Sequence, residues 1–94
     1  MSVYLLAEVE KIHDEKSYNE YIEKARPIVT RYGGKYIVTS DKLSPMSPSW
    51  TAQKVVLIEF ENKQRMQECF QSAEYGEIVH LRTGSIESKA VIIE

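Results

Sequence analysis

Residues 53–60, QKVVLIEF, decide the fold. The run has strand length and is rich in β-branched residues, which pack well on a pleated surface. Strand alternation puts Val56, Ile58 and Phe60 on one side and Val55, Leu57 and Glu59 on the other. Both sides carry large apolar groups, whereas a sheet with helices on one face and water on the other alternates apolar with polar. Two further runs share this property. In residues 3–9 (VYLLAEV), Leu5, Ala7 and Val9 oppose Tyr4, Leu6 and Glu8; in residues 87–93 (ESKAVII), Ala90 and Ile92 oppose Val91 and Ile93. Residues 35–40 (KYIVTS) give a fourth strand.

Helical periodicity fills the space between these strands. Asp14 is placed to cap a helix by accepting from free backbone N–H groups. Beyond it Tyr18, Tyr21, Ile22, Ala25, Ile28, Val29 and Tyr32 recur at helical spacing, one stripe of an amphipathic helix of about 18 residues. Pro27 lies within the stripe and has no N–H to donate, which predicts a kink or break there. Gly33-Gly34 ends the helix, glycine being free to take the left-handed conformation of a helix stop. Asn62 can cap a second helix with Met66, Cys69, Phe70 and Ala73 on one face. Ser72 is placed to re-cap it, with Tyr75, Ile78, Val79 and Leu81 beyond, and Arg82-Thr83-Gly84-Ser85 reads as a turn. The connection 41–52 is long, rich in serine and holds Pro45 and Pro48; long loops in small domains are often functional.

The element order is β-α-β followed by β-α-β. Right-handed crossovers in both halves give an α+β, ferredoxin-like βαββαβ fold: a four-stranded antiparallel sheet with two helices on one face. Ala7 and Ala90 are small and suit close helix approach, so their face is assigned inward. The other face, with Tyr4, Leu6, Val55, Leu57, Val91 and Ile93, would lie open in a monomer. Full burial of six such side chains represents, as an upper bound, roughly 10 kcal/mol. A homodimer through this open sheet face is therefore expected, as in a dimeric α/β barrel; the alternative is that a C-terminal strand or the long loop covers it.

Composition narrows the function classes. Ninety-four residues make a single domain, 1–94. The net charge is −2 and there is no basic run, so the electrostatic footprint of a nucleic-acid binder is missing. Cys69 is the only cysteine, which excludes a disulfide framework within the chain and a multi-cysteine metal site, and suits a reducing compartment. The apolar run at the start is short for a signal peptide, and no stretch approaches the roughly 20 apolar residues of a membrane span. A cytoplasmic protein that engages no membrane is expected. His13 and His80 stand apart with no accompanying ligand motif, so no metal is expected. No glycine-rich phosphate loop, dinucleotide fingerprint or nucleophile elbow occurs, and no cofactor is expected.

Several stretches in order carry a family resemblance: Glu8-Val9-Glu10, Asp14 with Tyr18 and Tyr21, Pro27, Tyr32-Gly33-Gly34-Lys35, Trp50, Val56-Leu57-Ile58-Glu59-Phe60, Ser72-x-Glu74-Tyr75 and Arg82. Over nearly its whole length the chain resembles the family known as domain of unknown function 1330, within the dimeric α/β-barrel superfamily. Two positions depart from the pattern. Ala73 stands where the family often has proline, and Lys54 where it often has arginine before the third strand. Lysine keeps the charge but loses the planar fork that grips a carboxylate in two places. The resemblance implies a ferredoxin-like homodimer and no established activity. Relatives in the wider superfamily include cofactor-free monooxygenases, muconolactone-isomerase-like enzymes and haem-degrading enzymes, so the fold does not fix the function.

This topology gathers the ends of the first two strands and the starts of the last two at one edge. Glu8, His13, Asp14, Trp50 on the long loop, Lys54, Arg82 and Lys89 belong to that edge. His13 and Glu8 are candidate catalytic bases; equally, His13 reads as a solvated loop residue and Glu8 as a cross-strand partner of Lys89. Trp50, Arg82 and Lys54 are candidate ligand-binding residues, although Trp50 reads first as a packing anchor and Arg82 also as a tie between helix and sheet. Glu59 and Tyr4 are expected to share a hydrogen bond across the dimer interface. Two functions fit: a small homodimeric protein that binds a small molecule or acts as an accessory, or a cofactor-independent, monooxygenase- or isomerase-like enzyme acting on a small aromatic or acidic metabolite. A hollow between helices and sheet at the 41–52 edge is what the enzyme reading requires.

Overall fold

Three side-chain caps fix where the helices begin. A computed structural model describes residues 1–94. In it Asp14 Oδ1 accepts from the Ser17 amide at 3.1 Å, Asn62 Oδ1 from Arg65 at 2.9 Å and Ser72 Oγ from Tyr75 at 3.1 Å. They open α1 (Glu15–Arg31), α2 (Lys63–Phe70) and α3 (Ala73–Thr83). The second crossover is thus two helices joined at Ser72, whose hydroxyl also donates to the Cys69 carbonyl at the end of α2, at 2.7 Å. The expected turn from Arg82 is shorter than the spacing implied, because α3 runs on to Thr83.

The helix does not break at Pro27; α1 continues through it to Arg31. Pro27 lies on the exposed side of α1, as does Glu23 one turn earlier, so the carbonyl that the proline leaves without a donor belongs to the solvent side. Gly33, at φ +87°, then turns the chain out of the helix. Gly34 packs where no side chain fits, against Val29 and the Phe60 ring.

The strands are β1 (Val3–Ile12), β2 (Lys35–Ser40), β3 (Lys54–Phe60) and β4 (Ile86–Ile93), in the antiparallel order β2-β3-β1-β4. The register arranges the faces in rows. On the inner face Lys54, Val9 and Ser88 form one row, Thr39, Val56, Ala7 and Ala90 the next, and Tyr36, Ile58, Leu5 and Ile92 the third. On the outer face Val38, Leu57, Leu6 and Val91 form an entirely apolar row. The core lies between the inner face and all three helices. Val3, Ile58 and Phe60 of the sheet meet Ala25, Ile28 and Val29 of α1, Met66 and Cys69 of α2, and Tyr75 and Ile78 of α3. A smaller cluster, Val9, Tyr18 and Ile86, closes the other end. No helix is long and apolar enough to cross a membrane.

Candidate functional site

Between these two clusters the helices and sheet do not meet. A cavity of about 320 Å³ remains, floored by the inner rows of the sheet and roofed by α1 and α3. That volume lies at the lower end of the roughly 300–1,000 Å³ typical of small-molecule sites. Ala7 and Ala90 explain part of it. They were expected to admit a closely packed helix; instead both line the cavity, their methyl groups being too short to fill the gap.

Five aromatic side chains stand among the aliphatic ones that line the cavity: Tyr18 and Tyr21 from α1, Tyr36 from β2, Phe70 from α2 and Tyr75 from α3. The Tyr21 and Tyr75 hydroxyls meet at 2.8 Å and tie α1 to α3. Burial, reinforced by the neighbouring Tyr75 hydroxyl, pushes the Tyr21 phenol far above its ordinary range. Burial likewise pushes Tyr36 up to about 12, against the pull of Arg26. Both phenols are therefore protonated at neutral pH, able to donate as well as accept.

Three cations also line the cavity: Arg26, Lys54 and Arg82. Lys54 Nζ lies 4.7 Å from the centre of the Tyr18 ring, and the Arg26 guanidinium 4.5 Å from that of Tyr36. Arg82 donates to Ser88 Oγ at 3.0 Å. Its helix end is fixed by Ser85, which is buried; the Ser85 hydroxyl donates to the Leu81 and Arg82 carbonyls, and its own carbonyl accepts from the His13 amide at 2.7 Å. No carboxylate or imidazole lines the cavity.

Of the residues singled out from sequence, Lys54 and Arg82 reach the cavity, and the other three do not. His13 is exposed and lies 2.5 Å from Glu87 Oε2. Glu8 belongs to the outer face, 4.0 Å from Lys89, the cross-strand pairing that its position suggested. Trp50 donates its indole N–H to the Ala52 carbonyl at 2.8 Å, folding back on its own loop. The Tyr4 hydroxyl donates to Glu59 Oε2 at 3.3 Å within one chain, a cross-strand contact rather than the expected bond across an interface. Arg26 escaped sequence reading because it stands beside the apolar stripe among other charged helix positions. No group of three or more His, Cys, Asp or Glu side chains comes together in a way that could hold a metal ion.

A family model described as domain of unknown function (DUF1330) matches residues 2–94. No curated protein matches the sequence. Among solved structures, a protein of unknown function from Rhodopseudomonas palustris superposes with a TM-score of 0.82 at 18% identity, covering 98% of this chain and 80% of that one. SnoaB, a cofactor-independent oxygenase from Streptomyces nogalater, gives 0.72 at 5% identity, covering 99% and 91%. A dimeric ferredoxin-like protein of unknown function from Jannaschia gives 0.68 at 13% identity, covering 100% and 99%. At these identities the likeness shows a shared ferredoxin-like fold.

Proposed function

Since the chain belongs to the DUF1330 family, which prescribes no activity, we propose its role from its own cavity: a small homodimeric protein that binds a small molecule between helices and sheet. The observation that carries this reading is the hollow itself. Helix–sheet interfaces are normally packed to crystal-like density, yet here an aromatic-walled space with cations at its rim separates two well-packed clusters. Lys54 and Arg82 are the anchors in this proposal; Trp50, His13 and Glu8 are not. The second copy covers the outer face, where Val38, Val91 and Ile93 are exposed and Tyr4, Leu6, Val55 and Leu57 half-buried. A cytoplasmic setting belongs to the same reading and suits the single, buried thiol of Cys69.

The open cavity also favours a second reading, a cofactor-independent enzyme acting on a small aromatic or acidic metabolite, in the fold that SnoaB shares. Protonated phenols and cations would then stabilise negative charge developing on the substrate. The binding reading is preferred because neither His13 nor Glu8 reaches the cavity to act as a base.

A fragment screen followed by amide chemical shifts tests the proposal. Binders should perturb a cluster that includes Ala7, Thr39, Val56 and Ala90, the row that floors the cavity. A diverse library that leaves this row unmoved overturns it.

A further inference from the structure

We infer that the ligand of this cavity is an anion with a flat apolar body, its charge held between Lys54 and Arg82 and its body lying over the Ala7–Ala90 floor. The inference rests on the small-molecule reading above and adds the chemical class.

The register supplies the geometry. Val9 pairs with Lys54 on one side and with Ser88 on the other. The Lys54 and Ser88 backbones therefore stand two interstrand spacings apart, about 10 Å. Arg82 is hydrogen-bonded to Ser88 at 3.0 Å, and Lys54 leans over Tyr18, so each cation approaches the same end of the cavity from opposite sides of β1. Val9 itself is buried beneath them. An ammonium and a guanidinium flanking one end of the cavity are the donors that a compact anionic group calls for.

The charge distribution gives independent support. The chain carries a net −2, with 14 acidic against 12 basic residues. Its ion-paired cations, Lys24, Arg31, Lys63, Arg65 and Lys89, all lie outside the cavity. Of the cations without an ion pair, Lys11, Lys16, Lys35 and Lys42 also lie outside, whereas Arg26, Lys54 and Arg82 share one space that no acidic side chain lines. Two of them rest on tyrosine rings, which hold a cation in place without neutralising it. Lys54 and Arg82 are half-buried and Arg26 is exposed, so water serves all three. A ligand that displaces this water from Lys54 and Arg82 costs free energy unless it brings a counter-charge. The walls specify the remainder: tyrosine and phenylalanine faces suit an aromatic or branched apolar body, and a volume of about 320 Å³ limits it to a small molecule.

The test uses matched probes: a panel of aryl and branched-alkyl carboxylates, each paired with its isosteric primary amide, titrated by calorimetry and amide shifts at fixed salt. Carboxylates should bind at least tenfold more tightly than their amides. Lys54→Met and Arg82→Met should each weaken the carboxylates by about tenfold to a hundredfold, as hydrogen bonds to charged groups imply, while leaving the amides nearly unchanged. Lys54→Arg and Arg82→Lys, which keep the charge, should retain most of the preference, and they serve if a methionine variant fails to fold. Equal affinity for acid and amide, or a preference that survives both methionine variants, overturns the anion assignment. If neutral fragments alone shift the cavity row, the anion inference fails and the binding proposal stands. If nothing of either class shifts it, the binding proposal fails as well.

Discussion

Ala7 of β1 stands directly opposite Ala90 of β4, and the pair floors the cavity beneath the helices. Two methyl groups where neighbouring rows carry Leu5, Ile58 and Val9 leave room that larger side chains would remove. Ala7→Leu should therefore lower the affinity of any cavity ligand at least tenfold while leaving the circular dichroism spectrum unchanged. Its effect on stability should stay within about 1–3 kcal/mol, the usual range for added core methylenes, and less where the hollow accepts the new side chain. Retained affinity in a folded Ala7→Leu variant, measured by calorimetry, would place the ligand elsewhere.

The two glycines after α1 should fail for different reasons. Gly33 has φ +87°, so Gly33→Ala places a Cβ in the left-handed region at about 1–2 kcal/mol. Gly34 takes no such angle, but an added Cβ would press on Val29 and stand 3.0 Å from the Phe60 ring. Phe60 and Val29 are among the most deeply buried side chains, so neither yields easily. Gly34→Ala should cost about 1–3 kcal/mol by overpacking. Urea melts of both variants check this; a Gly34→Ala protein as stable as the parent would mean that the close approach is relieved in solution.

Alkaline pH should loosen the fold in a defined window. Burial raises the Cys69 thiol from 9.0 to about 11 and the Tyr36 phenol from 10.0 to about 12. For an acid whose folded-state value is raised, the stabilisation is complete below the unfolded value and is lost as pH climbs through the folded one. Urea midpoints should accordingly be level from neutral pH up to 9 and fall from pH 9 through 12, the raised Tyr21 phenol adding to the fall above pH 10. Tyr36→Phe should remove part of the fall above pH 10. A parent protein whose midpoint does not change over that window would contradict the burial of both groups.

Much of this architecture was legible in the chain because its signals are local. Asp14, Asn62 and Ser72 each cap the helix expected of them, and strand alternation sorted Val56, Ile58 and Phe60 from Val55, Leu57 and Glu59. Of the kink or break expected at Pro27, the break does not occur: the carbonyl the proline frees lies on the solvent side, which the apolar stripe alone does not show. The site was half legible for a related reason. Topology gathers Glu8, His13, Trp50, Lys54 and Arg82 at one edge, but an edge has two faces. Glu8 has outer-face parity, opposite Val55 and Lys89, while Lys54 shares the inner row of Val9. The hollow itself has no sequence signature: Ala7 and Ala90 read equally well as close packing or as empty space until the helices are placed above them.

A sheet apolar on both faces favours a second surface over the outer one, and Leu6 lies in the middle of the outer-face row Val38–Leu57–Leu6–Val91. Sedimentation equilibrium of the parent chain at micromolar concentration, beside Leu6→Glu, tests this most directly. The parent should sediment at twice the 10.9 kDa chain mass and the variant, still folded, at 10.9 kDa. A parent protein that is folded and remains at 10.9 kDa as its concentration is raised would contradict the account of the sheet and of the homodimer built on it.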